Sequence, residues 1–152
     1  STVISFEPDA QNFKLLQMSR IYNGFEARIQ AHPLAVSDRN ETIFLTGVGN
    51  NDNSGAKITS RDRETLEQFT RSTSHPFQSI QAVQLDSFLP NTRIDVVKLD
   101  IEGHEPFAIQ GMLNLLKQNQ PVMLLEFAPI SLTHIGKISP SAFLQTLVDL
   151  GY

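Results

Sequence analysis

The run Val96-Val97-Lys98-Leu99-Asp100-Ile101-Glu102-Gly103-His104-Glu105 sets Asp100, Glu102 and Glu105 just past an apolar stretch. Val122-Met123-Leu124-Leu125-Glu126 repeats the arrangement, and Val3-Ile4-Ser5-Phe6-Glu7 repeats it again. A buried carboxylate is costly unless paired, so acids in these places should face solvent, a ligand or a cation. Open α/β sheets bind ligands in the crevice beyond the carboxyl ends of their strands. Three strands that each end in a carboxylate therefore point to one acidic site. A carboxylate there can accept hydrogen bonds from ribose hydroxyls, balance a cationic ligand or take a proton as general base.

Each candidate also has a plainer role. Glu7 can hold a ribose or cap the helix that follows it. Ser37-Asp38 follows another strand, where Asp38 can accept an amine proton or start a surface turn. Glu105 and Pro106 suit the first turn of a helix, and Gly103 permits a backbone conformation closed to other residues. Asp100, Glu102 and Glu126 could together form an oxygen-rich metal site, although no metal is expected. His104-Glu105 does not extend to a zinc-protease motif, because position 108 is alanine. Gly47-Val48-Gly49 lacks the third glycine of a dinucleotide fingerprint, and Asn40-Glu41-Thr42 matches a glycosylation pattern with no secretory signal to support it.

The ordered set of motifs carries a resemblance. Phe6-Glu7-Pro8-Asp9, Asn12-Phe13, Leu15-Leu16, Ala35-Val36-Ser37-Asp38, Asn53-Ser54-Gly55, Lys98 to Glu105 and Leu124-Leu125-Glu126-Phe127 resemble the FkbM family of S-adenosylmethionine-dependent methyltransferases. The resemblance covers nearly the whole chain. It implies a Rossmann-like three-layer α/β sandwich with a mostly parallel sheet, here a single partial domain over residues 1–152. It implies S-adenosylmethionine as cofactor, with Glu7, Pro8, Ser37, Asp38 and Asp100 on the cofactor side. Asp100, Glu102 and His104 become the candidate catalytic groups, with spacing alone unable to choose the base. Ser54, Gly103, Glu105 and Glu126 fall on the substrate side. The implied reaction is O-methylation of a hydroxyl or carboxyl on a small molecule or saccharide.

The family's glycine-rich first strand and turn should precede Val3 and is absent, and the family's terminal hairpin should follow Tyr152. The chain is therefore expected to be truncated at both ends. Two other readings stay open from the residues themselves. One is a nicotinamide-dependent oxidoreductase of Rossmann type, since Glu7 would suit either ribose. The other is a non-catalytic α/β binding domain.

The elements that must position these residues follow from the apolar pattern. Residues 3–6 read as a strand, and Pro8-Asp9 opens a helix that ends near Asn23-Gly24. Residues 27–36 read as a second strand, irregular at His32-Pro33, and 42–46 as an edge strand. Residues 47–55 have loop chemistry, and 61–74 form a surface helix or loop. Another strand-like run spans Ile80, Val83 and Leu85, and a short turn follows it at 85–89. Then come a strand at 95–99, a helix at 107–116, a strand at 122–127 and a last helix at 140–150 capped by Ser139. Strands alternating with helices argue for a parallel α/β sheet.

Composition bounds the rest. At 152 residues, with 40% hydrophobic and 18% charged residues, the chain fits one soluble globular domain. A net charge of -4 without a basic run gives no reason to expect nucleic acid or an anionic membrane as partner. No apolar run approaches the ~20 residues that span a bilayer. The absence of cysteine excludes disulfides and thiolate chemistry and suits a reducing, cytoplasmic setting. A homo-oligomer is compatible with all of this.

Overall fold

In a computed structural model the protein is described over residues 1–47, 57–70 and 76–152. It opens on strand β1 (Val3–Phe6) and helix α1 (Ala10–Tyr22). Asp9 is the N-cap of α1, its side chain accepting the backbone N–H groups of Gln11 and Asn12. Strand β2 (Ile29–His32) returns parallel to β1, with Phe6 opposite His32.

The strand expected across 27–36 is two strands. Pro33 has no N–H to give to a ladder, and after it β3 (Ala35–Ser37) joins a different sheet. That sheet also holds β4 (Glu41–Gly47), β5 (Lys57–Ser60) and β6 (Gln78–Gln84), in the order β3-β6-β4-β5. β3 and β6 run parallel, whereas β4 is antiparallel to both of its neighbours. The strand expected at an edge, β4, is therefore interior. Its Ile43 and Leu45 are buried.

Helix α2 (Arg63–Thr70) lies between β5 and β6, and α3 (Leu85–Phe88) follows β6 directly. Then β7 (Val96–Leu99) pairs in parallel with β8 (Val122–Leu125), Leu99 opposite Leu125. The single, mostly parallel sheet expected of the sequence is replaced, among the described residues, by three sheets that are only partly parallel.

Between β7 and β8 the one helix expected at 107–116 is two, α4 (Glu105–Gln110) and α5 (Leu113–Asn119). The break falls at Gly111, which lies so close to β3 that a Cβ there would collide with the Ser37 carbonyl oxygen. Asp86 of α3 then accepts the N–H groups of Asn114 and Leu115 at 3.0 and 2.9 Å, starting α5 afresh. Helices α6 (Pro129–His134) and α7 (Pro140–Asp149) close the chain; Ser139 caps α7 through the Ala142 N–H. The main core joins α4, α5, α6 and α7 to β7 through Leu99, Ile109, Met112, Leu116, Leu132 and Phe143. Phe6 of β1 and Leu125 of β8 pack against it. This core fixes where the three strand ends point.

Candidate functional site

The end of β1 is organised by its own backbone. Glu7 donates its N–H to the His32 carbonyl at 3.0 Å, extending the β1–β2 ladder by one residue. Glu7 Oε1 accepts the Asp9 N–H at 2.8 Å, so the Glu7-Pro8-Asp9 turn is held by side chains at both ends. Glu7 Oε2 has no hydrogen-bond partner among the described residues. Burial pushes the Glu7 carboxyl above its usual range; the Asp9 N–H opposes this, and the Asp9 charge adds to it.

The end of β3 leads into a polar network inside the protein. Ser37 is fully buried. Its hydroxyl donates to Glu41 Oε1 at 3.0 Å and lies 3.3 Å from His104 Nε2. Arg61, just past β5, ties the group together. It donates to Glu41 at 2.5 Å, to Ser37 Oγ at 3.1 Å and to Asp38. Its guanidinium also stands 4.5 Å over the Phe107 ring. His104, 1% exposed, packs on the other side of this network with its ring 4.7 Å from that of Phe107. Burial, and after it the Arg61 charge, push the His104 pKa down to about 4, only partly offset by a backbone contact at Thr59. His104 is thus a neutral ring at pH 7, facing Ser37.

The ends of β7 and β8 bring carboxylates together. Parallel register sets Asp100 beside Glu126, whose N–H donates to the Leu99 carbonyl at 2.9 Å. Glu102 follows in a left-handed conformation, φ 57°, and Gly103 has φ 97°. This double reversal folds the chain back, and the carboxylate oxygens of Asp100, Glu102 and Glu126 lie within 4.8 Å of one another. Glu102 is raised by burial first, then by the charges of Glu126 and Asp100. Glu126 Oε2 is buried with no hydrogen-bond partner among the described residues. Asp100 is exposed, and its contact with Lys98 Nζ at 2.8 Å is equally exposed and adds little. Glu105, 1% exposed, accepts the Ile101 N–H at 2.9 Å and so holds the reversal from behind. Its carboxyl is raised by burial, against which the Ile101 N–H acts. A Cβ on Gly103 would meet Ser131 of α6 at 2.7 Å, so glycine here permits close packing of α6.

The residues singled out from sequence thus fall into three groups: Glu7 and Pro8 at β1; Ser37, Asp38 and His104 in the interior network; and Asp100, Glu102, Gly103, Glu105 and Glu126 at β7 and β8. Ser54 lies outside the described residues. Sequence reasoning missed Arg61, Glu41 and Lys57, and read Asp9 only as part of a helix start. Only Asp9 had a local signal, as a helix cap. Arg61 and Lys57 act on residues far along the chain, and Glu41 gains its role through Ser37 and Arg61.

Carboxylates thus gather at the ends of parallel strand pairs in a mixed α/β fold. The chain belongs to the FkbM methyltransferase family, whose Methyltransferase FkbM domain matches residues 1–152. Its fold is similar to that of the methyltransferase FkbM from Methylobacillus flagellatus KT, a crystal structure at 2.20 Å resolution, with TM-score 0.54 and 18% identity. That match covers 83% of this chain and 26% of the other, so the chain spans about a quarter of that protein's length. No curated protein matches it. Among the described residues, no helix is long and apolar enough to cross a membrane.

Proposed function

We propose that the protein is an S-adenosylmethionine-dependent O-methyltransferase of a cytoplasmic small molecule or saccharide, its sheets belonging to a Rossmann-like three-layer arrangement. The observation that carries the reading is the meeting of Asp100, Glu102 and Glu126 beyond a parallel strand pair in a chain of this family. Family membership favours transfer of a methyl group over hydride chemistry.

The donor set fits the cofactor. Glu7 Oε2 is an open acceptor at a strand end, suited to ribose hydroxyls, and acidic groups suit a sulfonium. S-adenosylmethionine would supply an electrophilic methyl group. The protein's part is then to position the acceptor and manage its proton. Asp38 stands on the adenine side, steadied by Arg61. Glu102 is the better placed base. Its raised proton affinity suits taking a hydroxyl proton, whereas His104 is buried and turned to Ser37. Asp100 balances positive charge near the transfer, Glu126 and Gly103 border the acceptor, and buried Glu105 supports the reversal behind them.

Calorimetry with S-adenosylhomocysteine tests the cofactor half of this reading. Glu7→Ala is expected to weaken binding by about 1–3 kcal/mol, the scale for unpairing buried polar groups. Tight binding of NADH with no response to S-adenosylhomocysteine would sink it.

A further inference from the structure

Asp9 is a carboxylate only 2% exposed. Oδ1 accepts the N–H groups of Gln11 and Asn12 at 3.1 and 2.9 Å, which starts α1. Oδ2 lies 3.6 Å from Nζ of Lys57, the first residue of β5. The same Asp9 donates its N–H to Glu7 Oε1. A chain of contacts therefore runs from Lys57 through Asp9 to Glu7. No helix cap needs a lysine from another sheet. A buried carboxylate inside the turn that holds a second carboxylate does gain from a cationic partner.

We propose that Lys57 is a positioning residue for the nucleoside half of the cofactor, fixing the Glu7-Pro8-Asp9 turn so that the free oxygen of Glu7 meets the ribose. The proposal rests on the reading of Glu7 as the ribose carboxylate. Among the described residues, two titratable groups bear on Glu7: Asp9 at the start of α1 and Lys57 from β5. His32 ends β2 opposite Phe6. The His32 ring is occupied with Phe6 at 5.3 Å and Phe88 at 5.0 Å. Asp9 makes Glu7 harder to ionise by its charge, and Lys57 makes it easier. A ribose diol donates, so Glu7 must be ionised to accept both hydroxyls. Binding therefore fades as pH falls through the Glu7 pKa. Removing Lys57 raises that pKa and moves the loss to higher pH.

The test is titration of S-adenosylhomocysteine into the protein across the acidic range, with melting temperatures recorded alongside, for Lys57→Met, Lys57→Arg, Glu7→Gln and the Lys57→Met/Glu7→Gln pair. Lys57→Met is expected to weaken binding roughly 3- to 10-fold near pH 7, the scale of one partly buried charge pair, and to shift the acid limb to higher pH. Lys57→Arg should restore both. Glu7→Gln should flatten the acid limb, and adding Lys57→Met to it should weaken binding no further. A lower melting temperature for Lys57→Met, with affinity per folded molecule and acid limb unchanged, would reduce Lys57 to a structural ion pair and overturn the proposal. Unchanged binding in Glu7→Gln would instead remove the ribose reading itself.

Discussion

Glu102 and His104 stand two residues apart, and their surroundings push them in opposite directions. Glu102 is half-buried among like charges and holds its proton more tightly. His104 is enclosed beside Arg61 and gives its proton up. If the carboxylates serve the reaction, Asp100→Asn and Glu102→Gln should each cut methyl transfer by about 10²-fold or more, the scale of general base catalysis. Melting temperatures should barely move, since Gln keeps the left-handed backbone as it was. A large loss of stability with activity intact per folded molecule would assign both residues to structure. Activity restored by added divalent cations would assign the cluster to a metal. His104 makes a separate prediction through linkage. Unfolded, it takes a proton near pH 6.5; folded, only near pH 4. Between those values the unfolded state binds more protons, so His104 removes stability as pH falls, up to about 3 kcal/mol in total. Glu102 and Glu105, being raised, act in the opposite sense over the acidic range. Urea denaturation of the protein and of His104→Gln from pH 7 to 4 isolates the histidine: the variant should lose less stability on acidification. Parallel curves for the two would refute the assignment.

Among the elements, the junction of α4 and α5 is where one residue decides the path. Gly111 brings the helix end onto β3, and any side chain there meets the Ser37 carbonyl. Gly111→Ala should therefore destabilise by about 1–3 kcal/mol, the usual range for overpacking, and loosen the Ser37–His104 contact on the far side of that carbonyl. Equal melting temperatures for the two proteins would show that β3 yields freely. The same junction explains what the sequence could reveal. An apolar run ending in an acid is a local pattern, so the strands before Glu7, Asp100 and Glu126 were legible, as were the caps at Asp9 and Ser139. Gly111 inside a helical pattern was not, because its reason is a neighbour from β3. Alternation in 42–46 marked a strand but could not say that β4 lies between β6 and β5. The residues Lys57-Ile58-Thr59-Ser60 hold a single apolar residue and so do not announce β5, and α6 carries no clear stripe. At the site, the acids were readable by type and place. Arg61 and Glu41 were not, since their meaning comes only from Ser37, Asp38 and His104 across the network.

For the molecule as a whole, the unequal covering of its sheets sets its behaviour in solution. The β3-β6-β4-β5 sheet buries Ile43, Leu45 and Ile58, with Leu66 of α2 packed on Ile58. The β7–β8 pair is covered on one face by the main core, yet Val96, Val122 and Leu124 on its strands are exposed, Leu124 by 57%. Parallel strands are normally buried on both faces, and a two-stranded sheet has little stability of its own. The outer side of α1 adds Leu15, Met18, Ile21 and Tyr22 to the exposed apolar surface. Single exposed apolar residues mean little, but contiguous ones drive association. A polypeptide of these 152 residues is therefore expected to self-associate at micromolar concentration, with light scattering giving a mass above that of one chain. Val122→Lys together with Leu124→Lys should return it toward the monomer, because lysine on an exposed strand face opposes pairing through charge. The core side of β7 and β8 is untouched by these changes, so circular dichroism should stay the same. A monodisperse monomer in the unsubstituted chain would show that the exposed face is tolerated in water and does not drive association.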